Sequence, residues 1–198
     1  MGQDSKKEAI LEAAKKRFSH FGVGKTTMNE IADDLSISKA SLYYYFPDKL
    51  NLYAAVLQHI SDTDQVGIKS YEKETDPEKA LQVYLDSRMG FINKYYNILE
   101  YLSDVKVETS KELQATFNLF RKRQLATIRS IIDKGVESGH LSTESSLRAA
   151  ELLLDCFEGL RAGVINASGK FFPDKKVFMS LLKREKELAT IFMRGLSA

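Results

Sequence analysis

The sequence predicts an all-α fold, and three observations carry that reading. Apolar residues recur at i, i+3, i+4 and i+7, with few alternating β-branched runs. The 198-residue chain holds only three prolines and eleven glycines. Each proline stands in a helix-start dipeptide: Pro47-Asp48, Asp76-Pro77 and Pro173-Asp174. Capping signatures punctuate the rest, and together they predict about nine helices. Three belong to an N-terminal helix-turn-helix domain over residues 1–48, the others to a helical domain over residues 49–198.

The first helix, near residues 5–21, places Ile10, Ala13, Ala14, Phe18 and Phe21 on one face and lysines on the other, and Gly22 and Gly24 end it. Thr27-Met28-Asn29-Glu30 is a capping box, so a second helix starts at about Met28. Ile31, Ala32 and Leu35 continue its apolar face. Ser36-Ile37 form a turn in which Ser36 stands where glycine is usual, and Ser38 caps a third helix. That helix stops near Phe46, because a residue before proline disfavours the αR region. Further helices are expected over 48–66, 77–96, 97–104, 111–138, 145–167 and 174–195.

Composition removes several classes of function. At 43% hydrophobic and 28% charged, the chain reads as an ordinary globular protein. No apolar h-region opens it and nowhere do about 18 apolar residues run together, so neither secretion nor a membrane partner is expected. Lys6 stands where a myristoylation signal needs Ser or Thr after Met1-Gly2. The lone Cys156 lies in an apolar stretch and fits a reducing cytoplasm, the expected location. His20, His59 and His140 are widely spaced, and no HExxH, CxxC, GxSxG or phosphate-loop pattern occurs. An enzyme, a metal site and a cofactor are therefore not expected.

Net charge is +2, and the first fifty residues carry eight basic against seven acidic side chains, so bulk charge announces no nucleic acid. Local placement does. The second and third helices make a helix-turn-helix unit, with Ile31, Leu35, Ile37 and Leu42 inward and small Ala32 at the crossing. Within SLYYYFPDK, the spacing of Leu42, Tyr45 and Phe46 assigns them the buried side, leaving Tyr43 and Tyr44 outward. A phenol suits the wall of a major groove, ring against deoxyribose and hydroxyl toward phosphate. Ser38, Lys39, Ala40 and Ser41 occupy the helix N-terminal turn, which meets base edges in such units. Thr27 and Lys49 flank the surface, with backbone N–H, hydroxyl and ammonium available to phosphate.

Residues 6–57 closely resemble the N-terminal DNA-binding region of the TetR family of bacterial transcriptional regulators. The resemblance rests on Ile10, Ala13-Ala14, Phe18, Gly22, Thr26-Thr27, Ile31-Ala32 and LSISKASLYYYFPDKLNLY over residues 35–53. It implies a homodimer that binds a palindromic double-stranded DNA operator, usually as a repressor, and is released by a small-molecule effector held in the C-terminal domain. By position it carries DNA contact to Thr27, Lys39, Tyr43, Tyr44 and Lys49.

Beyond residue 57 only physics speaks. On the last two helices Phe157, Leu160, Val164, Phe178, Leu181, Leu188 and Phe192 trace stripes that would close a four-helix dimer interface, with Gly159 and Ala162 permitting close approach. Tyr84, Phe91, Tyr95, Tyr101, Phe117, Phe120 and Cys156 are candidates to line a pocket for an apolar or aromatic effector. The competing expectation is a helical ligand-binding or scaffolding dimer without DNA function.

Overall fold

The computed structural model describes residues 3–64, 69–105, 110–169 and 172–198. Among them are nine α-helices and no strand: α1 Gln3–Phe21, α2 Met28–Asp34, α3 Lys39–Tyr45, α4 Lys49–Thr63, α5 Pro77–Lys94, α6 Tyr96–Leu99, α7 Lys111–Glu137, α8 Ser146–Ser168 and α9 Lys175–Gly195. Short 3-10 turns cover Lys69–Lys73, which the sequence pattern did not reveal, and Glu100–Ser103, where an α-helix to residue 104 was expected. The expected end of the fourth helix, residues 65 and 66, lies outside the described residues.

Side-chain caps explain where the helices begin. Thr27, Ser38, Asp48, Ser145 and Asp174 each accept a hydrogen bond from the backbone N–H three residues on. Asp76 also caps α5, accepting from Glu78 N at 2.9 Å and Lys79 N at 3.3 Å with Pro77 in the first helical position, and Ser110 caps α7 by accepting from Leu113 N at 3.2 Å. Each satisfies one of the orphan donors that every helix start exposes.

The chain divides into two compact units. The first gathers residues up to Asp64 together with Tyr95–Thr116; the second gathers Gln65–Lys94 with Phe117–Ala198. In the first unit α4 packs on α1, burying Leu52, Tyr53, Val56, Leu57 and Ile60 with Ile10, Ala14 and Phe18. An apolar face of that size cannot be left in water, which is why α4 joins the N-terminal helices. The Tyr53 hydroxyl donates to the Ile98 carbonyl at 2.9 Å, and its ring meets Phe18 and Tyr101 edge-on. Burial pushes that phenol's pKa up. Phe21, expected on the apolar face of the first helix, is 54% exposed and lies under the Arg17 guanidinium, 5.6 Å from its ring centre.

In the second unit α5 and α9 pack most extensively, and α8 packs on α9. Leu81, Leu85, Leu153, Leu154, Phe157, Leu181 and Ala189 are buried there. The Gln82 amide donates to the Lys186 carbonyl and to the Thr190 hydroxyl, both at 3.0 Å, and Lys186 pairs with Asp86 at 2.7 Å. Gly135 is required small: a Cβ there would stand 2.5 Å from Leu141 Cδ1.

Candidate nucleic-acid interface

The helix-turn-helix is held from within before it can touch anything. Ile31, Ala32 and Leu42 are fully buried, and Phe46 closes the end of α3. Between the two helices Ser36 N donates to Asp33 O and Ile37 N to Ala32 O, both at 3.0 Å, which is the Schellman pattern. Ser36 accordingly adopts φ +51°, the only non-glycine among the described residues with positive φ. A serine there carries the steric penalty that glycine would avoid.

With Leu42 and Phe46 buried and Tyr45 half-buried, α3 turns the remaining side chains out. Tyr44 is 72% exposed, its ring edge-on to Tyr45 at 5.3 Å. Tyr43 is exposed with the Lys39 ammonium 5.7 Å from its ring centre, a cation–π contact that leans the lysine along the helix. Ser38, Lys39 and Ala40 are exposed and Ser41 is half-buried. The Ser38 hydroxyl accepts from Ser41 N at 3.1 Å, so its oxygen serves the cap while its proton stays available. One helix face thus carries an ammonium, a hydroxyl donor, a methyl and two phenols.

The flanking pair differs from the sequence expectation. The Thr27 backbone N–H and hydroxyl both donate to the Glu30 carboxylate, at 2.7 and 2.8 Å, while Glu30 N donates back to the hydroxyl at 3.3 Å. These bonds hold the Glu30 carboxyl below its ordinary range. The donors expected to serve phosphate at Thr27 are therefore engaged with a carboxylate, which is in turn 3.3 Å from Arg17.

Lys49 departs further. Its ammonium donates to the carbonyls of Val23, Gly24 and Thr26 at 3.0, 3.3 and 3.1 Å, and sits 5.7 Å from the Tyr101 ring centre. All three ammonium protons are placed on backbone, so in this conformation Lys49 gathers the loop between α1 and α2 instead of offering itself to phosphate. Lys25, exposed in that same loop, is a cation the sequence reading passed over. A lysine two residues before a capping box was the available signal.

The expected effector residues are split. Tyr95 and Tyr101 belong to the first unit, where Tyr101 packs on Tyr53 and Lys49; Tyr84, Phe91, Phe117, Phe120 and Cys156 belong to the second. Tyr84 is buried, and Phe117 meets Phe120 edge-on at 6.2 Å. The expected dimer residues divide too. Phe157, Phe178 and Leu181 are buried within the single chain, while Leu160, Val164, Leu188 and Phe192 are half-buried. Helical spacing finds an apolar stripe but does not say which neighbour covers it. The large apolar side chains left outside on α8 and α9 are Leu147, Leu152, Met179 and Ile191.

Residues 10–56 match the model of bacterial regulatory proteins of the tetR family. Over these residues the chain is similar to the N-terminal region of that family. Among TetR-family relatives, the HTH-type transcriptional regulator RutR of Escherichia coli K12 is 37% identical over 91 residues, 46% of this chain and 43% of that protein. The match thus spans less than half of RutR. The HTH-type transcriptional regulator TtgR of Pseudomonas putida is 28% identical over 162 residues, 76% of each chain. The crystal structure of a transcriptional regulator from Cytophaga hutchinsonii superposes with a TM-score of 0.81 at 28% identity, covering 96% of this chain and 98% of that one. Among the described residues the all-helical fold is one that TetR-family structures share. Among the described residues no helix is long and apolar enough to cross a membrane.

Proposed function

We propose that the protein is a sequence-specific DNA-binding transcriptional regulator that acts as a homodimer, represses from a palindromic operator, and is released by a small-molecule effector. The observation that carries this is the outward face of α3, with Lys39, Ala40, Tyr43 and Tyr44 exposed on a helix whose opposite face is locked by Leu42 and Phe46. Tyr43 and Tyr44 stand side by side on that exposed face. Their chemistry fits a deoxyribose and phosphate wall, and the N-terminal turn beside them fits base edges.

A two-fold dimer would place two such helices about one turn of DNA apart, which is what a palindrome demands. Leu152 on α8 with Met179 and Ile191 on α9 supply outward apolar area for the pairing, and exposed Gly159, Ala162 and Gly163 allow helices to approach closely. An effector would act only through a difference in affinity between the DNA-bound and released states.

Selection of bound sequences from a random DNA pool, followed by titration of the enriched site at two salt concentrations, tests the reading. A palindrome whose affinity falls steeply with salt is the expected result. No enrichment, from protein stripped of ligand by unfolding and refolding, would overturn it.

A further inference from the structure

Inside the second unit lies a charged cluster that the fold does not neutralise. The Glu185 side chain on α9 is fully buried between two guanidiniums. Arg88 Nη2, from α5, donates to its Oε2 at 2.5 Å, and Arg161 Nε, from α8, to its Oε1 at 3.1 Å. Gln124, from α7, lends its amide oxygen to both arginines at 3.3 Å. Two positive charges thus share one carboxylate and one neutral acceptor. Outside this buried group, Arg121 pairs with both Asp155 and Glu158, at 2.8 and 3.1 Å, and Lys186 pairs with Asp86.

Two further observations show that the cluster is incomplete. Arg88 Nε is buried with no hydrogen-bond partner. An orphan donor on a charged group forfeits solvation that nothing replaces. The Arg161 guanidinium is lowered to about 10, first by burial and then by the Arg88 charge beside it. Within the buried group itself two guanidiniums face one carboxylate, and one donor has no acceptor.

We propose that the cluster is the polar end of the effector site and takes the carboxylate of a small organic acid with an apolar body. A planar monoanion accepts from guanidinium edges and cancels the one excess charge, whereas a dianionic phosphate would overshoot it. The apolar body follows from the helix turns on either side: Tyr84 and Leu85 stand one turn from Arg88, Phe157 one turn from Arg161, and Leu181 and Ala189 one turn from Glu185, all buried. This rests on the second unit being the effector domain of a DNA-binding regulator.

The test uses the full chain with benzoate and octanoate as probes, benzamide and octanamide as neutral matches, and inorganic phosphate as the dianion, read by calorimetry and thermal shift. Both carboxylates are expected to bind and raise the melting temperature, and the amides and phosphate are not. Glu185→Gln, which removes the resident carboxylate, is expected to bind the carboxylates at least about tenfold tighter and to regain part of its lost stability on binding them. Arg88→Lys keeps the charge but removes Nε; it is expected to lose about tenfold in affinity with an unchanged circular dichroism spectrum. Amides binding as well as acids, or no carboxylate response in either the wild type or Glu185→Gln, would overturn the proposal. DNA binding of the same samples without probe is measured in parallel. Loss of carboxylate selectivity with DNA binding intact refutes only the effector class, while absence of DNA binding refutes the regulator reading itself.

Discussion

Replacing Tyr44 with phenylalanine removes one hydroxyl from the outward face of α3 and leaves everything else in place. At 72% exposure the side chain stands largely in solvent, and the ring keeps its edge contact with Tyr45. The fold is therefore expected to hold within about 0.5 kcal/mol, the usual range for a surface change. DNA affinity is a different matter. A hydrogen bond from this hydroxyl to a charged phosphate contributes about 1.5 kcal/mol at the lower end of its range. A two-fold dimer makes that contact twice, so about 3 kcal/mol is removed, roughly a hundredfold in affinity. Because a neutral hydroxyl releases no counterion, the slope of log affinity against log salt stays as in the wild type. Fluorescence anisotropy with the enriched site at several salt concentrations measures both quantities. A loss below about threefold at every salt, with an unchanged melting temperature, would refute the assignment of Tyr44 to phosphate.

Other substitutions separate the remaining roles. Lys39→Ala is expected to change which bases are enriched at one position of each half-site; an unaltered preference takes Lys39 out of base readout. Lys49→Ala leaves the carbonyls of Val23, Gly24 and Thr26 without their donor. It is expected to lower stability by about 2 kcal/mol in urea unfolding and to weaken every DNA sequence alike. Ser36→Gly relieves the φ of +51° and should raise stability by up to about 1 kcal/mol, read from the urea unfolding curve, against the greater freedom of an unfolded glycine. Glu30, Asp34 and Glu12 are all held below their ordinary values of 4.5, 3.8 and 4.5, by Thr27, Arg17 and Lys15 first in each case. Depressed carboxyls stabilise the fold fully above the unfolded values and lose that contribution as pH falls through the folded ones. Acid unfolding should therefore steepen below pH 4.5, and Arg17→Met should reduce the effect; identical acid profiles would remove Arg17 from the account.

What was legible in the sequence followed from local chemistry. Thr27, Ser38, Asp48 and Asp174 announced helix starts because a cap is a bond across three residues, visible in any short window. The outward placement of Tyr43 and Tyr44 was legible for the same reason, since a 3.6-residue period and a buried Leu42 and Phe46 determine it. What escaped depends on distant partners. Lys49 reads as a surface cation until the loop 26 residues earlier is folded against it. Arg88, Gln124, Arg161 and Glu185 come from four helices, and no spacing along the chain links them. Phe157 and Leu181 obey a helical stripe equally well whether a partner subunit or their own unit covers it, and both are buried within the single chain.

The Lys49 clamp gives the first unit an all-or-none latch. One ammonium on one flexible stem holds three carbonyls, so a rotation of that single side chain releases all of them together. The loop between α1 and α2 and the first turn of α4 are therefore tied together through one side chain. Tyr101, resting against the same ammonium, is the part of the chain most directly able to sense that rotation.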